Sequence, residues 1–172
     1  MKKHTLVLAF LLALVNMTNL QAQTTFEVPE NVELRTKQDF IKYEPALIQA
    51  AKWLEETDLN QESEKRKKVN AFVVQYISDC PSIKVSVDEA LVKLYDKNSQ
   101  LLSIYLANYA KEYIEHKTTA TKFSATKAGI LSMMAVYSKK IDMVKSKELD
   151  KLINLQEINL LDDYIKEKFK TN

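Results

Sequence analysis

Glycine occurs once in this chain, at Gly129, and proline three times, at Pro29, Pro45 and Pro81. That scarcity limits what the chain can build. Loops that cradle a phosphate need glycine where φ is positive or where the backbone must approach the ligand closely. One glycine therefore supports neither a P-loop nor a dinucleotide-binding fingerprint. A many-turned β-sandwich is also poorly matched, because its corners draw on Gly and Pro. The composition points to helices joined by short polar loops.

The first residues are read separately. Met1-Lys2-Lys3-His4 is a basic start, Leu6–Val15 is an unbroken apolar run, and the small Ala22 precedes Gln23. This is the charged, apolar and small-residue order of a secretory signal peptide cut after Ala22. The apolar run makes about 15 Å of helix, roughly half of what a membrane span requires. We therefore expect an exported protein, periplasmic or secreted, with residues 1–22 as signal peptide, 23–35 as an extended arm and 36–172 as one helical domain. No segment of the mature chain is expected to span a membrane.

Loss of Lys2 and Lys3 lowers Lys+Arg from 25 to 23, against 23 Asp+Glu, so the formal net charge falls from +2 to 0. A balanced chain offers no basic excess for nucleic acid and little attraction to an anionic membrane surface. Cys80 is the single cysteine, so no internal disulfide forms and the fold must rest on packing. His4 leaves with the leader. His116 is then the one histidine, and zinc sites built on two or three histidines are excluded.

Periodicity supplies the rest. Thr36, with Asp39 three residues on, fits the start of a first helix, whose apolar face is Phe40, Ile41, Leu47, Ala50, Ala51 and Leu54. Pro45 should break it near Tyr43, with a second helix from Pro45 to Glu56. Over Gln61–Ser78, Val69, Phe72, Val73, Tyr76 and Ile77 fall on one helix face. The polar run before them should be a solvated turn, with Glu62–Arg66 and Glu64–Lys68 as i,i+4 pairs. Ile83–Val87 alternates but has no partner strand, so a linker pressed on the core is expected. Ser86 and Glu89 fit a cap for a short helix through Tyr95. Gln100–Lys117 is apolar over a wide arc and should be central. Ser124 should cap Ala125–Lys140, Ser146 a helix through Ile153, and Asn159 a last one ending near Phe169. The reading is an all-α, single-domain irregular bundle of about five to seven helices, packed around Gln61–Ser78 and Gln100–Lys117.

One constellation suggests a site. Tyr105, Tyr109 and Tyr113 lie within about 80° of one another on a helix, with Glu112 and His116 as a bordering i,i+4 pair. On a groove, these phenols, the carboxylate and the imidazole would hold a sugar, a peptide or a metal. Packed with Leu102 and Leu106, the same tyrosines are core with hydroxyls at its rim. No catalytic set is expected: a Ser-His-Asp or Cys-His unit would have only His116 as its base, and no G-x-S-x-G elbow exists. Glu55-Glu56 and Asp162-Asp163 are adjacent pairs that point about 100° apart on a helix.

Lys52–Pro81, Leu94–Glu115 and the helix around Lys127–Lys139 resemble, in helix texture, a group of small exported helical proteins of unassigned activity from Gram-negative bacteria of the Bacteroidota type. The resemblance implies export and a helical fold and carries no site residue. The expected function is a non-catalytic module that binds an envelope protein or a small ligand, with no cofactor. The alternative is an envelope hydrolase or metal-dependent enzyme using His116 with carboxylates.

Overall fold

A computed structural model describes residues 26–171. The expected signal peptide, and residues 23–25 of the arm, lie outside the described residues. Among these the fold is all-α, with seven helices and no strand. In chain order they are α1 (Lys37–Glu56), α2 (Ser63–Asp79), α3 (Glu89–Tyr95), α4 (Leu101–Glu115), α5 (Lys122–Ser138), α6 (Lys147–Glu157) and α7 (Leu161–Lys168).

The first helix departs from expectation. Thr36 and Asp39 cap it reciprocally, but Pro45 does not divide it. Pro45 is exposed, about 140° around the helix from Phe40 at 100° per residue. Of the buried residues, Phe40, Leu47, Ala50, Ala51 and Leu54 therefore run past it on the opposite side, with Trp53 at the flank. The carbonyl that loses its partner belongs to Ile41, itself 39% exposed, so solvent can satisfy it and the helix continues.

The C-terminal end of α1 carries no basic residue in its last turn. Its carbonyls are met from elsewhere. Lys139 donates to Glu55 O at 2.6 Å, and Arg66 donates to Thr57 O at 2.8 Å and Asp58 O at 3.0 Å. Two cations thus sit where the helix dipole is negative. Arg66 is only 4% exposed and its guanidinium lies 5.1 Å from the centre of the Trp53 ring. The polar run that opens α2 is therefore not simply solvated, and from Ser63 onward it is helix. Its ion pairs also shift by one residue, to Lys65–Glu62 and Lys67–Glu64 at i,i+3.

Helix α4 is the hub. It packs most extensively on α5, then on α1, and less on α2. The expected central pair was α2 with α4, so the principal partner is corrected to α5. The reason is Gly129 on α5, which lets the Tyr105 ring and backbone of α4 come close. Helix α5 is buried on several sides, through Ala125, Ile130, Met133, Met134, Val136 and Tyr137 among others.

Three caps also move. Thr121 and not Ser124 opens α5, with Ser124 as the reciprocal partner. Asp88 and not Ser86 caps α3, accepting from Leu91 N–H at 3.0 Å. Asn159 takes φ 58° between α6 and α7 and does not cap α7, which lacks a side-chain cap. Ser146 caps α6 as expected. With so little glycine, left-handed corners fall on other residues, including Asn31, Glu62, Lys140 and Asp142. Asn and Asp tolerate that region better than Glu or Lys. Residues 83–88 lie between α2 and α3 without strand pairing, with Ile83 buried. Residues 26–35 of the arm form neither helix nor strand and bend at Glu30–Asn31, where Asn31 takes φ 50°; Phe26 is buried, and Gln75 donates to Val32 O at 3.1 Å.

Candidate functional site

The helical arc of α4 brings the three tyrosines into a row. Ring centres are 5.8 Å apart for Tyr105–Tyr109 and 5.4 Å for Tyr109–Tyr113. Tyr105 and Tyr109 are core side chains, at 2% and 1% exposure. Tyr109 donates to Lys84 O at 2.8 Å, which ties the linker before α3 onto α4. Tyr113, at the far end of the row, is half-buried. Glu112 and His116 do meet, with Oε2 and Nδ1 3.2 Å apart, at the C-terminal end of α4. The five residues thus form a packed row and a surface pair, and Tyr113 borders an open cleft.

Burial of the phenols has a chemical consequence. It pushes the Tyr105 hydroxyl up to about 12, and it raises Tyr76 and Tyr109 further still above the ordinary phenol value. The unfolded chain ionises these groups near pH 10, while the folded chain holds them neutral. The fold therefore binds more protons than the unfolded state above pH 10. The stability these groups contribute is complete below pH 10 and is lost as pH rises through the folded values. The urea midpoint is expected to be lower at pH 11 than at pH 8, with tyrosinate absorbance rising in two stages and the second stage coinciding with unfolding. A single-stage rise with an unchanged midpoint would show that the buried phenols ionise freely.

The cleft beside Tyr113 has a volume of about 740 Å³ and lies between the first half of α1, residues 80–83 and the end of α4. Its apolar lining includes Phe40, Ile41, Ile83 and Ile114, with Lys37, Glu44 and Lys117 among its charged groups. Lys117 pairs with Glu44 at 2.9 Å. The Tyr76 hydroxyl donates to Phe40 O at 3.2 Å and fixes α2 against α1 beneath it. Cys80 also lines the cleft, with its thiol 3.3 Å from the Ser82 hydroxyl. Sequence reasoning assigned Ile41 to the buried face of α1, but at 39% exposure it stands at the cleft. Its position about 100° from Phe40 on the helix is the one sequence signal that it lies off the centre of that face.

A second hollow, of about 820 Å³, separates the arm from α2, with Glu27, Glu30, Glu64, Lys65 and Lys68 in its walls. It is the more polar of the two, and Tyr105, Tyr109, Glu112, Tyr113 and His116 are not among its lining residues. Among the described residues no group of three His, Cys, Asp or Glu is placed to share a metal ion. The pair Glu112–His116 therefore has no third ligand there, and the metal-dependent alternative gains no support from this geometry. No described helix is long and apolar enough to cross a membrane. Comparison with protein-family models, curated proteins and solved structures gave no match.

Proposed function

We propose that the chain is an exported, non-catalytic binding module of a bacterial envelope, in the periplasm or outside the cell. Residues 1–22 direct export and are removed after Ala22, and the helical body then binds an envelope protein or a small ligand. Export is supported by the basic, apolar and small-residue order of Met1–Ala22. Binding is supported by one observation above the others. The cleft at Tyr113 combines apolar walls with a few charged groups, the composition typical of ligand sites, at a volume within their usual range of roughly 300–1,000 Å³.

Two measurements test the two halves. Expressed as the full chain in a Gram-negative host, the protein is expected in the osmotic-shock fraction with an intact mass that begins at Gln23. Recovery from the cytosol with Met1 still attached would overturn export. For binding, wild-type protein and an Ile41→Asp variant are each used to capture components of the envelope. A component held by the wild type and lost by the variant is expected. Identical capture by both would remove the cleft from the function.

A further inference from the structure

The charges around the cleft indicate the class of small ligand it would take, an inference that rests on reading the cleft as the binding surface. Lys37 and Glu44 are two helical turns apart on α1, about 10 Å along its axis. The cleft is therefore elongated, with a polar group towards each end of its α1 wall. At one end Glu44 is already neutralised by Lys117 at 2.9 Å. At the other, Lys37 is exposed and has no ion-pair partner among the described residues. Between them Ile41 presents apolar surface to water, and the half-buried Tyr113 lies on the facing helix.

We propose that the cleft binds an amphiphilic monocarboxylate, an elongated apolar body carrying one anionic end. The apolar body lies on Ile41 and Tyr113 and removes their exposed surface from water, which is the favourable term for an apolar group. The carboxylate meets the Lys37 ammonium, which needs to leave no other partner. A cationic amphiphile has no such place, because the carboxylate of Glu44 is held by Lys117 and the unpaired charge at the cleft, Lys37, has the same sign as its head group.

Amide chemical shifts of the purified protein, titrated with decanoate and separately with decyltrimethylammonium, test this in three arms. With decanoate, the amides of Phe40, Ile41, Ile83 and Tyr113 are expected to shift saturably, and the cationic amphiphile should leave them in place. Lys37→Glu, an exposed change, should weaken decanoate binding about tenfold by reversing the charge at the head group. Ile41→Asp should abolish binding while the rest of the spectrum keeps its dispersion. If decyltrimethylammonium binds as tightly as decanoate, or Lys37→Glu leaves decanoate unaffected, the carboxylate assignment is overturned and the cleft stands as a site for another class. If neither amphiphile moves a cleft amide, the carboxylate assignment and the small-ligand reading of the cleft both fall.

Discussion

Phe72→Ala is expected to lower the free energy of unfolding by about 3–5 kcal/mol, the usual range for removing a buried aromatic ring. Phe72 is 3% exposed, near the middle of α2. Its ring lies edge-on to Tyr43 of α1, with centres 6.3 Å apart, and to Tyr76 of its own helix, also at 6.3 Å. Alanine removes both contacts and leaves a hole between α1 and α2. Neighbouring tyrosines cannot refill it easily, because the Tyr76 hydroxyl is held on Phe40 O. Urea unfolding measures the effect, with the slope against denaturant unchanged if the denatured state is unaltered. Five residues earlier, Lys67→Ala should stay within about half a kcal/mol. Its partner Glu64 is 2.7 Å away, but the two side chains are 73% and 79% exposed, and such surface pairs contribute little. A loss below about half a kcal/mol for Phe72→Ala would mean that α2 turns a different face to the core.

Helix α2 shows what could be read in advance and why. Val69, Phe72, Val73 and Tyr76 repeat with the helical period, and all four are buried; a pattern within one element needs no knowledge of its neighbours. Arg66 lies on the same helix, and its burial is not legible from spacing. Its environment is made by the Trp53 ring and the carbonyls of Thr57 and Asp58, and no local spacing reports that three such groups will converge. The same division holds at helix starts. Thr36 and Ser146 were legible as caps. Thr121 with Ser124, and Ser86 with Asp88, place competent residues within three positions of each other, and tertiary packing chooses between them. At Pro45, local propensity predicted a break, but apolar residues on the far side of the helix carried it through.

The candidate site divides in a similar way. That Tyr105, Tyr109 and Tyr113 share a face follows from their spacing alone. How deep each lies depends on α5 and on the linker that Tyr109 grips through Lys84 O, neither of which the spacing contains. The cleft itself was invisible in the sequence. Its walls come from α1, from residues 80–83 and from α4, and its lining combines a residue assigned to the core, Ile41, with a lysine at each end, Lys37 and Lys117. Asn98 was missed for a related reason. It is buried and bonds both ways to the backbone of Val144, at 2.8 Å each, joining the turn before α4 to the loop after α5. A lone asparagine in a polar turn gives no sign of such a partner.

The second large effect is expected at the one glycine. On propensity alone, Gly129→Ala inside α5 should stabilise the protein by about 1 kcal/mol. The structure predicts the opposite sign. Gly129 has ordinary helical φ, so conformational freedom does not explain it; space does. A methyl group there would lie 2.5 and 2.8 Å from the Cδ2 and Cε2 atoms of Tyr105, and 2.9 Å from its backbone oxygen. The ring is buried at 2% exposure and lies tilted against Tyr109, with centres 5.8 Å apart, so it has little room to swing aside. The backbone oxygen can retreat only if α4 moves, and α4 also carries the contacts to α1 and α2. Overpacking commonly costs about 1–3 kcal/mol. The rigid neighbours place this site at the upper end, and a net loss of about 2 kcal/mol is expected after the propensity gain is offset. In a Tyr105→Leu background the ring obstacle is removed, so the added methyl should cost less than in the wild type. Melting both pairs of proteins measures the difference. A rise in stability on Gly129→Ala in the wild-type background would show that α4 and α5 are not held at the close approach from which this bundle is built.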